Sequence, residues 1–348
     1  MFEIQNTLSF NKGKLTFGSE YDYVTRTSQN QGILQETGFV NQENINPADT
    51  WSLGLLQMDF FYRNKPWYAG QFIRKIIPKL EISRNLMVYF TVILNKQKEN
   101  LLSGLVRSVD EKFLNAEVIL PTKNNKIDFD FMESFIAELE AERITKLEAY
   151  LSATGLKNYT LTAQEQKVLD DFENMKFEEF NLVDLFDVKN SGNILSRDIS
   201  KNSGETPYLC ASSENNAVST YISYDEKYLD KGNCIFIGGK TFVVTYQEKN
   251  FYSNDSHNLV LYPKNGTKRS KLNQLYLATC INKSLGHKYS WGNSISHRKI
   301  QKDKVSLPTQ PNQIMDTFIS AIQKLVIKDV VKYADKKIAS HKEVIAAK

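Results

Sequence analysis

Two polar stretches hold the side chains best suited to reading a partner by hydrogen bonds. They are Tyr23-Val24-Thr25-Arg26-Thr27-Ser28-Gln29-Asn30-Gln31-Gly32 and Tyr208-Leu209-Cys210-Ala211-Ser212-Ser213-Glu214-Asn215-Asn216. Arginine takes a guanine edge with two hydrogen bonds, asparagine and glutamine take adenine, and serine and threonine are less selective, so this set suits base edges of duplex DNA. It supplies the candidates Thr25, Arg26, Thr27, Ser28, Asn30, Ser212, Ser213, Asn215 and Asn216. Aligning Ser28 with Ser212 sets Arg26 opposite Cys210 and Asn30 opposite Glu214, a shared frame with different hydrogen-bonding menus. For any single residue, a plain surface loop rich in turn formers is the weightier reading.

Further polar stretches also recur. Tyr62-Arg63-Asn64-Lys65-Pro66-Trp67-Tyr68-Ala69-Gly70-Gln71 faces Tyr246-Gln247-Glu248-Lys249-Asn250-Phe251-Tyr252-Ser253-Asn254, adding Arg63, Gln71 and Asn254, while the aromatic pair belongs to the core in at least one copy. Lys288-Tyr289-Ser290-Trp291-Gly292-Asn293-Ser294 runs into the basic segment from His297 to Lys302, and its counterpart ends in Arg107-Ser108. Lys288, Tyr289, Asn293, Arg298 and Arg107 could hold phosphates, which fix register rather than sequence. Solvated surface explains them equally well. Lys240 lies in Gly239-Lys240-Thr241, which resembles the tail of a phosphate-binding loop; the glycine required five positions earlier is Cys234, and a hairpin turn fits better.

Signatures of catalysis are absent. The four histidines, His257, His287, His297 and His341, have no metal-ligand spacing. No GxSxG occurs, and no acidic pair with a lysine recurs or stands out as a nuclease would need. Asn46-Pro47-Ala48-Asp49 lacks the second proline and the aromatic residue of an amino-methyltransferase loop, and reads as a turn. No cofactor or metal site is expected. Net charge is +4 with an isoelectric point near 8.6, compatible with a nucleic-acid partner but far from a basic-arm protein. Three cysteines, all in the second half, fit a reducing cytoplasm, and no stretch approaches the roughly 20 apolar residues that span a bilayer.

The elements that must position these residues come in two copies. Phe2-Glu3-Ile4 matches Phe186-Asp187-Val188 and Trp67-Tyr68 matches Phe251-Tyr252 at an offset of 184, and Pro78-Lys79 matches Pro263-Lys264 at 185. Val118-Ile119-Leu120-Pro121-Thr122, Ile127 and Phe131 match Val305-Ser306-Leu307-Pro308-Thr309, Ile314 and Phe318 at 187. A slowly drifting offset marks duplication with small loop insertions. Strands are expected at 51–61, 72–77, 117–120, 233–237, 241–246 and 258–262, and helices at 86–94 and 272–282. Two long helices follow, 128–151 and 312–340, apolar on more than a narrow stripe, so they are expected to pair antiparallel. A helix of about 24 residues is roughly 36 Å long, close to one turn of DNA. The expected organisation is an α+β chain: domain 1–126, helix 127–154, connector 155–175, domain 176–310, and helix with tail 311–348. The second copy has a lead-in, Phe177 to Leu185, that the first lacks; either the first domain misses its opening strand or the chain begins late.

With these residues in hand, the chain resembles the DNA-specificity (S) subunit of type I restriction–modification systems, and more narrowly the BcgI-like branch. The resemblance spans nearly the whole chain. It rests on the two-copy layout, the Leu-Pro-Thr exits, Tyr21-Asp22-Tyr23-Val24-Thr25-Arg26-Thr27-Ser28, and Trp67-Tyr68-Ala69-Gly70-Gln71-Phe72 with Arg74-Lys75-Ile76-Ile77-Pro78. It implies two target recognition domains, each reading half of a split, asymmetric site in double-stranded DNA, with Arg74 joining the candidate contacts. It also implies a coiled coil that spaces them and docks two methyltransferase (M) subunits, and a restriction (R) subunit beyond. Adenosylmethionine and ATP would belong to those subunits, leaving this chain non-catalytic. The rival reading is a duplicated-domain scaffold that does not bind DNA.

Overall fold

The computed structural model describes residues 1–104, 108–264, 269–309 and 311–346, with backbone alone at 311–313 and 341–346. The chain divides into two compact units, Met1–Leu147 and Glu148–Lys348. The first contains β1 (Phe2–Asn6), β2 (Tyr21–Val24), β3 (Ile33–Thr37), β4 (Thr50–Gly54), β5 (Phe60–Arg63), β6 (Trp67–Ala69) and β7 (Ile73–Pro78). Helices α1 (Arg84–Asn95), α2 (Lys98–Leu102) and α3 (Val109–Leu114), the hairpin β8 (Thr122–Lys123) and β9 (Lys126–Ile127), and the long helix α4 (Phe129–Ala153) follow. The strands form two sheets, in the orders β1-β7-β4-β5 and β3-β2-β6.

The second unit repeats this plan. It opens with α5 (Ala163–Asp170), β10 (Phe177–Asn181) and α6 (Leu182–Leu185). Then come β11 (Phe186–Asn190), β12 (Thr206–Leu209), β13 (Val218–Ile222), β14 (Cys234–Ile237), β15 (Val244–Gln247), β16 (Tyr252–Ser253) and β17 (Leu259–Pro263). It closes with α7 (Lys271–Leu285), α8 (His297–Ile300), β18 (Lys304–Pro308) and α9 (Pro311–Ala346). Its sheets run β11-β17-β14-β15 and β13-β12-β16, matching the first unit strand for strand, and in both the β2–β6 type of pairing is the parallel one. Register repeats too: Phe2 faces Pro78 as Phe186 faces Pro263, and Trp51 faces Ile76 as Ile235 faces Leu261. The fold is α+β, two pseudo-repeated mixed α/β domains each followed by a long helix.

Local chemistry explains the repeats. Central strands β4 and β14 are buried along their whole length; Cys-Ile-Phe-Ile reads accordingly as one apolar run, whereas Thr-Trp-Ser-Leu-Gly still alternates, with Thr50 and Ser52 buried as polar residues. Both core helices start at a serine: Ser83 Oγ accepts from Leu86 N at 3.3 Å and Ser270 Oγ from Asn273 N at 3.1 Å. Helix α1 buries Leu86, Met87, Phe90, Ile93 and Leu94 against Trp51, Leu53 and Phe60, the spacing of one helical face. The recurrent aromatic pair, Trp67-Tyr68 and Phe251-Tyr252, is buried in both copies.

Three expectations need correction. The run 51–61 is two strands joined by a tight turn through Met58 (φ 54°), as Phe242 (φ 55°) turns between β14 and β15. Segment 117–120 is no strand. Its counterpart β18 pairs with β10 in register from Phe177–Pro308 to Asn181–Lys304, whereas 117–120 has no such neighbour among the described residues, and a ladder needs two sides. The long helices are in step at 183, not 187: Tyr89 meets Phe135 edge-on at 6.4 Å as Tyr276 meets Phe318 at 5.7 Å. The β8–β9 hairpin, turning through left-handed Asn124 and Asn125, lengthens the first exit and sets α4 a turn later.

Helix α5 is held on α9. Thr162 and Glu165 form a reciprocal capping box, and Glu165 also accepts from Ser320 Oγ at 2.6 Å and Lys324 Nζ at 2.7 Å. Burial pushes the Glu165 carboxyl up, but the hydrogen bonds from Lys324, Ser320 and Thr162 outweigh it and hold it at about 2. At 1.5 Å per residue α4 is about 38 Å long and α9 about 54 Å. Among the described residues no helix is long and apolar enough to cross a membrane.

Candidate nucleic-acid interface

Each unit displays one strained loop between its β2-type and β3-type strands. Asn30, Gln31 and Gly32 have φ of 46°, 53° and 78°; Asn215, Asn216 and Ala217 have 46°, 52° and 68°. Left-handed backbone costs a residue with a side chain roughly 1–2 kcal/mol, least for asparagine, so two copies of such a run are a specified conformation. The same bonds hold both loops. Thr25 N donates to Gly32 O at 2.7 Å and Cys210 N to Ala217 O at 2.9 Å. Asn30 Nδ2 donates to Ile33 O and Asn215 Nδ2 to Val218 O, both at 3.0 Å. Thr27 Oγ1 accepts from Gln29 N at 3.2 Å, and Ser212 Oγ from Glu214 N at 3.1 Å.

These pairs fix the offset here at 185 and correct the alignment expected at Ser28. Arg26 lies opposite Ala211, Ser28 opposite Ser213 and Asn30 opposite Asn215; adjacent serines at 212 and 213 made the sequence ambiguous by one place. Glycine packing agrees, since a Cβ on Gly54 would meet Arg26 backbone and one on Gly238 would meet Ala211.

Beneath each loop a buried side chain grips its centre. Arg63, 1% exposed at the end of β5, donates from Nε to Ser52 Oγ at 2.9 Å and from Nη2 to the carbonyl of Gln31. At the equivalent end of β15, Gln247 Nε2 donates to Asn216 O at 2.9 Å. A buried guanidinium is tolerated only when its donors are used. Burial lowers Arg63 to about 10, against the opposing pull of Asp22, so it stays charged. Arg63 was expected among solvent-facing contacts; it is instead the clamp of the loop, and residue type alone gave no sign of its burial.

Above the clamps the two faces differ. In the first unit a cleft of about 610 Å³ is lined by Lys12, Thr25, Arg26, Thr27, Gln57 and Gln71 among others. The Arg26 guanidinium sits 5.2 Å from the centroid of the exposed Phe72 ring, a cation–π contact that leaves its edge donors free to bond. In the second unit Ala211 replaces that arginine. The cation there is Lys240, on the β14–β15 turn and paired with Asp255 at 2.9 Å; Thr241 Oγ1 on the same turn donates to Ala211 O at 3.0 Å. Burial raises the Asp255 carboxyl, but bonds from His257 N, Lys240 and the His257 ring bring it to about 2. Lys12 and Gln57 were not legible as candidates, because turns distant in sequence bring them to the first face, whereas Phe72, Asp255 and His257 lie beside the candidates Gln71 and Asn254.

The other candidates are placed as follows. Ser28 Oγ bonds Asp59, and Arg74 is ion-paired with Asp110 at 2.9 Å. Asn254 Oδ1 accepts from Asn258 Nδ2 at 3.0 Å. Lys288 and Tyr289 both serve buried Asp303, the tyrosine hydroxyl donating at 2.5 Å, so Tyr289 is a core residue rather than a surface contact. Asn293 Nδ2 donates to Lys288 O at 2.8 Å, and Arg298 is exposed on α8. Arg107 lies outside the described residues. Among the described residues no group of three or more His, Cys, Asp or Glu could hold a metal.

A family model, "Type I restriction modification DNA specificity domain", matches residues 1–149 and again 174–344. The chain is 23% identical over 290 residues to "Type II restriction enzyme BgcI specificity subunit S.BcgI" of Heyndrickxia coagulans, covering 79% of this chain and 78% of that one. Its fold is similar to a crystal structure of the type I restriction–modification S subunit from M. genitalium, with a TM-score of 0.58 and 14% identity, covering 99% of this chain and 91% of that one.

Proposed function

Since the chain belongs to the type I restriction modification DNA specificity domain family, we propose that it is the specificity subunit of a restriction–modification complex and reads a bipartite, asymmetric duplex target. One observation carries this: two loops of the same strained backbone present different side chains. A repeated frame with unlike menus is what two readers of unlike half-sites require. The first face offers Arg26, Thr27 and Gln71, and the second Ser212 and Ser213 with Lys240 beside Asp255, whose carboxylate suits the amino group of cytosine. Asn216 Nδ2 instead donates to Tyr246 O at 3.0 Å and braces the loop. Residues 1–126 and 176–310 serve as the two recognition domains, and the long helices α4 (Phe129–Ala153) and α9 (Pro311–Ala346) serve as spacers that pair antiparallel.

Partner subunits supply the chemistry. Two methyltransferase subunits dock on the helices and bring adenosylmethionine, and a restriction subunit brings ATP. The net charge of +4, spread over two domains, gives little phosphate-driven affinity, so specific binding comes with assembly. The test is to co-purify the chain with the methyltransferase encoded beside its gene, then map modified bases. One split, asymmetric motif supports the reading. A continuous motif, or tight specific binding by the isolated chain, overturns it.

A further inference from the structure

The frame that repeats around the loops extends to two further segments, and there the two units carry opposite chemistry. The turn after the β4-type strand closes the same way in both: Met58 N donates to Gly54 O and Phe242 N to Gly238 O, each at 2.8 Å. The segment after the β6-type strand is fixed likewise, Gly70 N donating to Val24 O at 2.8 Å and Asn254 N to Leu209 O at 3.1 Å. These bonds set Leu56 opposite Lys240 and Gln71 opposite Asp255. In the first unit Leu55 N donates to Phe72 O at 2.9 Å, which holds turn and segment side by side, and Leu56 and Gln71 both line the cleft. In the second, the Lys240–Asp255 ion pair joins them.

That ion pair has groups left to bond outward. Asp255 Oδ1 accepts from His257 N at 2.9 Å and from the His257 ring at 2.7 Å, and Oδ2 accepts from Lys240 Nζ at 2.9 Å. A carboxylate has about four lone-pair sites, so Oδ2 keeps one open beside the ammonium, whose further donors Asp255 does not use. A donor and an acceptor thus stand 2.9 Å apart at the surface. The major-groove edge of a G·C pair presents the same two groups reversed. Guanine O6 accepts and cytosine N4 donates, and the N–H···O bond that joins them is about 2.9 Å long. A phosphate would be met by cations alone, and a carboxylate in that place repels it.

The first unit suits the other base pair. A glutamine amide takes adenine N6 and N7, and an apolar side chain takes the thymine methyl. Leu56 is 49% exposed on its turn, a position where the core gains little from it. We propose that these equivalent positions form one base-pair reader in each unit: Lys240 and Asp255 read a G·C pair, and Leu56 and Gln71 an A·T pair. It deepens the reading above, that the two faces contact DNA bases. Because the backbone frame is shared, the code is portable between units.

Exchanging the side chains within the chain tests it. In the complex co-purified with its methyltransferase, Leu56→Lys with Gln71→Asp should turn one A·T pair of the first half-site into G·C in the map of modified bases. The second half-site should stay as it was. Lys240→Leu with Asp255→Gln should do the reverse in the second half-site. If an exchanged form does not assemble, single substitutions serve, read in binding to duplexes changed one base pair at a time. Lys240→Met should reduce discrimination at one G·C pair about tenfold, and Lys240→Arg, which keeps donors for guanine, should retain it. A motif unaltered by both exchanges overturns the proposal and leaves the DNA-reading function standing. So does an equal loss on all duplexes, which would make Lys240 a phosphate contact. A parent complex that modifies no split motif overturns both.

Discussion

At the scale of single residues, the loop between β2 and β3 is held from beneath by Arg63, which donates to Ser52 Oγ at 2.9 Å and to the Gln31 carbonyl. The polar stretch 23–32 was legible because threonine, arginine, asparagine and glutamine cluster there, and its Tyr23, Thr25, Arg26 and Thr27 line the cleft. Arg63 was misplaced because composition does not report burial, and the partner it serves, the Gln31 carbonyl, lies 32 residues away in sequence. Its role gives a graded prediction. Arg63→Ala removes the grip on the Gln31 carbonyl, leaves buried Ser52 Oγ without its donor, and should destabilise the first unit by about 1–3 kcal/mol in denaturant unfolding. Arg63→Gln, which copies the grip of Gln247, should recover much of that loss. Equal losses from both would remove the clamp from the account. Arg26 is argued to read a guanine edge, its plane steadied by Phe72. Arg26→Ala should cost about 1–3 kcal/mol in binding by the assembled complex and relax preference at one base pair. A uniform loss over all sequences, with the salt slope shallower by about one, would make it a phosphate contact instead.

At the scale of elements, periodicity served well where an element is closed by its own chain. Helices α1 and α7 and strands β14 and β17 stand close to where apolar spacing put them. The failures come from tertiary partners that spacing cannot see: 117–120 has strand-forming residues and no ladder, and a two-asparagine hairpin shifts α4 by a turn. The α5–α9 contact makes a pH prediction. The Glu165 carboxyl is lowered in the fold from 4.5 to about 2 by its hydrogen bonds from Lys324, Ser320 and Thr162, against the upward push of burial. A depressed carboxyl contributes stability that is full above its unfolded value and is lost as pH falls through its folded one. Glu165→Gln should therefore weaken the second unit by about 1–3 kcal/mol near neutrality. That gap should close as pH drops from 4.5 toward about 2. A gap independent of pH would show that the carboxylate charge contributes nothing. For the spacer helices, inserting four residues after Ala141, about one helical turn, should lengthen the gap between half-sites and leave their sequences intact. An unchanged gap in an active complex would refute the spacing role.

At the scale of the whole molecule, duplication was the most legible feature, because a drifting offset of 184 to 187 survives even where side chains differ. The local offset at the loops was not legible, since only hydrogen bonds separate Ser212 from Ser213 as the partner of Thr27. The central claim is that the two loop faces are separate readers on one backbone plan. The most direct measurement replaces residues 186–305 with the matching part of a relative of different specificity, assembles the hybrid with its methyltransferase, and maps modified bases across a genome. The account predicts a motif in which one half-site changes, while the other half and the spacer stay as they were. A change in both half-sites would contradict it.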